Sequence, residues 1–270
     1  MIIKPSPIFG VVALAIGLSS CQSGNKESNI NSDNDKDTTI YKITEFYQSS
    51  PYYQQREDGY DTSYYKVSYP VSDDSQFNAL VMESLSVKDR AELEQSAEAF
   101  LADYDSYVEE ANKPEFVHAW YQDIASRIIL TTPRLLVVGN KLTEYSGGAH
   151  GNYAELFYNY DLQENKKLSI NDVVATEKQQ ELIALAETRF REIEKLAPDA
   201  ALTDKYFFDE GVFVLPDNFA FDRKGIIFQY NPYEIKPYAD GVTRFEIPYE
   251  KLESLLTEKA KAFVAQIQNL

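Results

Sequence analysis

Alternating apolar and polar positions predict several β-strands in this chain. Tyr65, Val67 and Tyr69 fall on one face of the segment 60–69, as expected of a strand whose side chains point alternately to two sides. β-Branched and aromatic residues, which fit a pleated surface, mark the other segments. The predicted strands are 40–47, 60–69, 116–131, 135–145, 153–161, 219–221, 225–230 and 245–247.

Other segments have apolar residues three and four positions apart, which is the spacing of an amphipathic helix. The predicted helices are 73–112, 176–196, a short one at 206–211, and 249–267. Thr176-Glu177-Lys178-Gln179 has the form of a capping box, and Pro248 is placed to open the last helix. Because strands and helices are grouped without a βαβ rhythm, the predicted fold class is α+β, with two lobes of antiparallel strands and packed amphipathic helices.

The first 39 residues differ from the rest of the chain. Residues 8–18 form a short apolar run after Lys4, and the run ends in Leu18-Ser19-Ser20-Cys21. A run of this length is too short to span a bilayer and has the form of a signal peptide. A small-residue site that ends in cysteine resembles a bacterial lipobox, in which Cys21 becomes the lipidated first residue. The polar residues 22–39 predict a disordered tether.

These patterns predict a signal peptide at 1–20, a tether at 21–39, and lobes at 40–150 and 151–270, joined near 146–165. Cys21 is the only cysteine, so an intramolecular disulfide, a thiolate nucleophile and a zinc–cysteine site are excluded. The alternative to acylation is an incidental cysteine after an ordinary signal peptide. The predicted location is the bacterial cell envelope, with membrane contact through the lipid anchor alone.

The net charge of −17 limits the partners of the chain. Phosphate binding needs clustered Lys and Arg, so nucleic acid is not an expected partner. A basic protein would be steered toward an acidic surface. The alternative is that acidity only keeps an exported protein soluble. The 20 tyrosines predict many half-buried positions where a ring packs and a hydroxyl stays hydrated.

Two loops form the candidate ligand-binding site. The loop 146–152 holds a histidine among glycines, which allow positive φ and close approach of another group. That histidine could bind, transfer a proton or ligate, or it could belong to a tight hairpin turn and hydrogen-bond a neighbouring strand. The loop 231–241 contains two prolines that fix φ and remove backbone donors. We expect the loops to converge, and the predicted binding residues are Gly147, Gly148, His150, Asn152, Asn231, Tyr233, Glu234 and Tyr238.

Catalysis has little support in the sequence. The histidines, His118 and His150, show no His-x-x-x-His or Glu-x-x-His spacing, so neither a catalytic metal nor a cofactor is expected. His118 falls on a predicted strand and is interpreted as structural. A Gly-x-Ser-x-Gly elbow does not occur, and a catalytic carboxylate pair cannot be located among 43 acids. Glu234 is the candidate for a partly buried carboxylate, the alternative being an acid bonded to loop amides. No catalytic residue is assigned.

One stretch resembles a known family. Phe-Gln-Tyr-Asn-Pro-Tyr-Glu-Ile-Lys-Pro-Tyr-Ala-Asp-Gly at 228–241, followed by Ile-Pro-Tyr-Glu-Lys-Leu at 247–252, looks like the signature of DUF3298. That domain also forms the C-terminal part of the extracytoplasmic region of RsiV-type anti-sigma factors. The loop 146–152 resembles the junction with a preceding DUF4163, or PdaC-like, domain. The resemblance covers about residues 41–256.

The resemblance implies a binding protein. RsiV-type relatives use this domain pair to recognise lysozyme, a basic protein that suits an acidic surface. No transmembrane helix or sigma-binding segment precedes the domain in this sequence, so an anti-sigma role is not expected. The predicted function is that of a lipid-anchored envelope protein that binds a lysozyme-like protein or peptidoglycan without catalysis. The alternatives are a glycan-modifying enzyme, because PdaC-like domains occur beside deacetylase domains, and a purely structural envelope lipoprotein.

Overall fold

The computed structural model describes residues 2–3, 40–57, 59–111 and 118–270. Cys21 and nearly all of the predicted signal peptide and tether lie outside these residues. The strands are β1 (Ile2–Ile3), β2 (Tyr41–Arg56), β3 (Gly59–Ser72), β4 (Tyr121–Thr131), β5 (Leu135–Tyr145), β6 (Asn152–Asp161), β7 (Lys166–Lys167), β8 (Phe219–Phe221), β9 (Gly225–Tyr230) and β10 (Thr243–Pro248). The α-helices are α1 (Ser75–Ser84), α2 (Arg90–Glu110), α3 (Ile170–Val173), α4 (Gln179–Ile193), α5 (Tyr249–Leu252) and α6 (Glu258–Ile267).

Two sheets organise the described chain. The larger sheet has seven strands in sequential order from β1 to β7, and the smaller has three in the order β10-β9-β8. Neighbouring strands are antiparallel except β3 and β4, which run parallel. Parallel neighbours need a crossover connection, and α1 and α2 provide it. Two sheets with separately grouped helices confirm the predicted α+β class.

The two faces of the larger sheet belong to different cores. Alternation along β5 places Leu136 and Val138 in a core with α1 and α2, whereas Leu135 and Val137 lie in a core with α4 and α6. All four side chains are fully buried. The predicted boundary between residues 150 and 151 lies in the turn between β5 and β6, which pair along their length.

The second core contains a cluster of aromatic rings around Phe190. Phe190 projects from α4 and is fully buried. Its ring contacts four others, with centroids 5.1 to 6.2 Å away, on Tyr206, Phe208, Phe213 and Tyr230. Tyr230 ends β9, so this cluster supports the start of the proline-containing loop. None of the helices in the described ranges is long and apolar enough to cross a membrane.

The C-terminal helix predicted at 249–267 is broken in two. The apolar positions stay in phase, but the chain leaves the helix after α5 and re-enters it at α6. Thr257 begins α6, because its hydroxyl oxygen accepts the N–H of Ala260 at 3.1 Å. The backbone N–H of Thr257 donates to the carbonyl of Val173 at 2.9 Å, so a tertiary contact replaces a helical bond.

Three local predictions are also wrong. The segment Thr176–Lys178 is a 3-10 turn, and its threonine caps no helix. A capping box occurs instead at α3, where Asp172 accepts hydrogen bonds from both the N–H and the hydroxyl of Ser169. The predicted helix at 206–211 is reduced to a 3-10 turn at Asp209–Gly211, because Glu210 has a positive φ of 50°. β4 begins at Tyr121, so His118 precedes the strand and is exposed.

Candidate functional site

The two loops predicted to converge are in contact. The imidazole of His150 stacks on the phenol ring of Tyr238, with centroids 4.2 Å apart and planes 22° apart. The hydroxyl of Tyr233 lies 3.2 Å from Nε2 of His150. Tyr153 from β6 meets the edge of Tyr238 at 5.6 Å. We call His150, Tyr153, Tyr233 and Tyr238 the ring cluster.

The hydrogen bonds of His150 define the roles of its two nitrogens. Nδ1 lies 2.8 Å from the carbonyl oxygen of Gly151, which can only accept, so Nδ1 carries a proton and donates. In the neutral ring Nε2 is then an acceptor for the hydroxyl of Tyr233. Both nitrogens are therefore used within the protein. His150 acts here as an oriented part of the ring cluster rather than as a free base.

Tyr233 has a strained backbone in an exposed position. Its φ is 69°, and its side chain is 53% exposed. A bulky residue at positive φ costs on the order of 1–3 kcal/mol unless its surroundings enforce the conformation. The neighbouring turn enforces it: the N–H of Glu234 donates to the carbonyl of Asn231 at 3.2 Å, and the N–H of Asn231 donates to a carboxylate oxygen of Glu234 at 3.0 Å. The strain presents a phenol ring to solvent.

Glu234 is exposed rather than partly buried. Its carboxylate accepts the backbone N–H of Asn231 and lies 3.4 Å from the amide nitrogen of the same residue. The alternative interpretation, an acid bonded to loop amides, therefore describes the observed contacts. The residue as a whole is nevertheless exposed at the surface.

Asn231 is buried, and it hydrogen-bonds to residues outside the ring cluster. It is 5% exposed, and its side-chain oxygen accepts the backbone N–H of Glu155 in β6 at 2.9 Å. Asn218 binds the same edge, accepting the N–H of Phe157 and donating to the carbonyl of Glu155, both at 2.8 Å. Asn159 lies in β6, and its side chain bonds to the backbone of β8: it donates to the carbonyl of Phe219 and accepts the N–H of Phe221. We call Asn159, Asn218 and Asn231 the amide seam, because it joins the edge of β6 to the smaller sheet.

Lys236 anchors the far side of the proline-containing loop. Its ammonium donates to Glu194 at 2.8 Å, and only 8% of its side chain is exposed. Burial alone would raise the pKa of Glu194, but hydrogen bonds from Lys236, Thr243 and Tyr206 outweigh burial and lower it to about 2. The loop is therefore fixed to β6 by Asn231 and to the end of α4 by Lys236.

The glycine-containing loop forms a tight turn beside the ring cluster. Gly147 and Gly148 have φ values of 101° and 93°, which side-chain-bearing residues rarely adopt. The hydroxyl of Tyr145 donates to the carbonyl of Gly148 at 3.1 Å. Asn152 is exposed and begins β6, opposite Glu144. Gly147 and Gly148 shape the backbone near His150. The side chain of Asn152 does not belong to the ring cluster.

A row of tyrosines begins next to this loop, at the end of β5, and crosses β4, β3 and β2 of the larger sheet. The rings of Tyr47, Tyr64, Tyr121 and Tyr145 lie on one face, with successive centroids 5.8, 5.8 and 6.2 Å apart. Beside the row, the ammonium of Lys66 lies 3.4 Å from Glu45 and 3.8 Å from Asp123. Tyr153 and this row were missing from the sequence prediction, because alternation assigns a face but not the partner strand.

The site offers rings, hydroxyls and one imidazole, but few groups for metal chemistry. Within the described ranges, no group of three or more His, Cys, Asp and Glu side chains is placed to hold a metal ion. His150 has both nitrogens engaged, and Glu234 bonds to a turn amide. The arrangement is an ordered group of partly exposed rings with polar hydroxyl and imidazole groups.

Comparison with known proteins agrees with this fold. The model of the DUF3298 family, described as a protein of unknown function, matches residues 163–250. A crystal structure of a DUF3298 family member from Bacteroides fragilis has a TM-score of 0.67 and 23% identity, covering 87% of this chain and 100% of its own. A DUF3298 family protein from Pseudomonas aeruginosa has a TM-score of 0.59 and 20% identity, covering 83% and 97%. No curated protein matches this sequence.

These findings define the chain as an α+β protein with the fold seen in those two structures. The match at residues 163–250 lies within the half, 151–270, for which the sequence predicted a resemblance to that family. The matched region includes the proline-containing loop, with Tyr233, Glu234 and Tyr238. At 20–23% identity the likeness to the solved structures concerns the fold.

Proposed function

We propose that this chain is a lipid-anchored protein of the bacterial envelope that binds a basic protein at the ring cluster, without catalysis. The observation that carries the proposal is Tyr233, a strained residue whose phenol ring is exposed and aligned by His150. Strained residues of this kind cluster at active sites and ligand-binding sites. Lysozyme is the first candidate ligand, in line with the resemblance to RsiV-type proteins, and peptidoglycan is the second. Residues 40–150 would then be the DUF4163-like lobe.

The chemistry of the ring cluster supports a protein ligand. Tyrosine is enriched at the energetic centres of protein interfaces, because its ring offers a large area with few rotatable bonds. The rings here restrict one another, so less conformational entropy is lost on binding. The net charge of −17 favours encounter with a basic protein.

The first prediction concerns the lipid anchor. Cys21 is expected to be the acylated residue, because a short apolar run ends in Leu18-Ser19-Ser20-Cys21. Metabolic labelling with palmitate should mark the wild-type protein and fail to mark Cys21→Ser. Ser20→Ala, which keeps a small residue before the cysteine, is the control and should remain labelled. Equal labelling of wild type and Cys21→Ser would contradict the assignment.

The second prediction concerns ligand capture. His150→Ala and Tyr233→Ala should each weaken binding of lysozyme by about 1–2 kcal/mol or more, the range of interface hot spots. The free energy of unfolding should change by only about 0.5 kcal/mol or less, because both side chains are exposed. Biolayer interferometry with immobilised lysozyme measures the first quantity, and urea denaturation the second.

The control for this experiment is Tyr60→Ala, which removes a ring that is 70% exposed and belongs to β3, outside the ring cluster. Its binding should equal that of wild type. A large fall in stability with unchanged capture would show that the two loops serve only to lock the structure. If wild type binds peptidoglycan but not lysozyme, the glycan replaces the protein as ligand. If it binds neither, both ligand assignments are wrong.

A further inference from the structure

Exposed apolar side chains gather around Glu234. Phe207 and Val214 are each 59% exposed, Tyr233 is 53% exposed, and Leu156 is 39% exposed. Phe207 and Val214 line a groove of about 290 Å³ together with Glu234. Leu156 lines a second groove, of about 370 Å³, which also reaches Glu234. We call them the Phe207 groove and the Leu156 groove. Glu234 lines both grooves, so they are neighbours on the surface next to Tyr233.

The charged groups of this surface are mostly acidic. Asp209 lines the Phe207 groove, and Asp217 lines the Leu156 groove. Lys167 is the cation of the Leu156 groove, and its ammonium lies over the ring of Tyr158, 4.5 Å from the centroid. Within the described part of the chain, no Lys, Arg or His nitrogen lies within 4.0 Å of the carboxylates of Asp209, Asp217 and Glu234. These three acids are available to a cation from outside.

The walls of the Phe207 groove are held in place by hydrogen bonds. The N–H of Phe207 donates to the carbonyl of Ile235 at 2.8 Å. The hydroxyl of Tyr230 donates to the carbonyl of Val214. Asn231 orients Glu234, as described above. The groove therefore exists before a ligand arrives, which reduces the entropic cost of binding.

We propose that the two grooves bind a segment of the partner protein in which Lys or Arg is flanked by apolar residues. The cation pairs with Glu234, and its apolar neighbours contact Phe207 and Leu156 on either side. This inference rests on the proposed function, since it specifies which part of a basic protein is recognised. An exposed ion pair adds little affinity by itself, so the apolar contacts supply affinity and the acids supply selectivity.

The probe is a fluorescein-labelled, end-capped peptide of alternating Leu and Arg, measured by fluorescence anisotropy with the purified full chain. Two comparison peptides separate the contributions: one replaces Leu by Ser, and the other replaces Arg by Glu. The Leu/Arg peptide should bind at least about tenfold more tightly than either comparison peptide, because each lacks one of the two contributions. Equal binding of the Leu/Arg and Ser/Arg peptides would mean a purely electrostatic attraction and would overturn the inference.

Variants of the chain locate the site. Phe207→Ala and Glu234→Gln should each weaken peptide binding by about fivefold or more. Gln at 234 retains an oxygen that can accept the N–H of Asn231, so the turn should persist. The matched control is Glu210→Gln, which removes an exposed acid that lines neither groove. An equal loss in the control and in Glu234→Gln would overturn the inference.

The lysozyme assay separates this inference from the proposed function. Phe207→Ala and Glu234→Gln should also weaken lysozyme capture, as His150→Ala does. Normal peptide binding by wild type without lysozyme capture would reject lysozyme and leave the grooves as a basic-segment site. Loss of lysozyme capture in His150→Ala, with no peptide binding by wild type, would reject the grooves and leave the ring cluster as the site.

Discussion

Phe190→Ala is expected to lower the free energy of unfolding by about 3–5 kcal/mol, the range for deleting a buried phenylalanine side chain. Phe190 is fully buried, and four other aromatic rings surround it. Large rings on several different segments cannot all move inward to fill the space, so a cavity remains. Guanidinium denaturation followed by circular dichroism gives the change directly.

The control lies three residues along the same helix. Ile193 is 43% exposed, so Ile193→Ala should change the free energy of unfolding by about 0.5 kcal/mol or less. A loss below about 1 kcal/mol for Phe190→Ala would mean that the aromatic rings around position 190 move in to fill the space, so that no cavity remains. Because Tyr230 leads directly into the proline-containing loop, the variant should also bind ligand less tightly.

Asp161→Ala should have the second largest effect, a loss of about 3 kcal/mol, the lower end of the range for breaking a buried ion pair. Asp161 is fully buried, and Arg134 donates to both of its oxygens, at 3.2 and 2.9 Å. The N–H groups of Gln163 and Glu164 donate to the same carboxylate. Arg134 is 24% exposed and can be partly hydrated after the change, which is why the lower end applies.

This loss should depend on pH. Burial alone would raise the pKa of Asp161, but hydrogen bonds from Arg134 and from the two backbone N–H groups lower it below its ordinary value of 3.8. The charged carboxylate therefore stabilises the fold above pH 3.8, and that contribution disappears as the pH falls through the folded-state pKa. The difference between wild type and Asp161→Ala should be larger at pH 7 than at pH 2.

Urea denaturation at several pH values tests this expectation. Glu258→Gln is the control, since the side chain of Glu258 is 90% exposed and its pairing with Lys261 contributes little. A stability difference for Asp161→Ala that stays constant with pH would show that packing, and not the ion pair, accounts for the loss.

The sequence predicted strands well where alternation is strict and turns are clear. β5 has the predicted bounds, 135–145, because polar and turn residues limit it at both ends. The break between α5 and α6 could not be predicted, since the apolar spacing continues through it. The break depends on contacts with distant residues: Thr257 with Val173, and the N–H of Ala175 with the carbonyl of Leu255 at 3.0 Å.

In the candidate site, too, local patterns predicted some features and missed those that depend on distant contacts. Unusual backbone chemistry in two loops was enough to predict that His150, Tyr233 and Tyr238 come together. Asn231 was assigned to ligand binding, but it bonds to Glu155, which is 76 residues away in the chain. An asparagine before proline is typical of a turn. Nothing in the local sequence indicates that its side-chain oxygen accepts a backbone N–H from the edge of the larger sheet. Local patterns locate loops, whereas their tertiary partners decide which side chains face solvent.

The alternation along β5 has a further consequence, for how the molecule unfolds. One strand supplies Leu136 and Val138 to one core and Leu135 and Val137 to the other. Unfolding of this strand would therefore expose both cores to water. The core that contains α4 and α6 and the core that contains α1 and α2 are therefore coupled in folding, and a substitution that loosens one core lowers the cooperative stability of both.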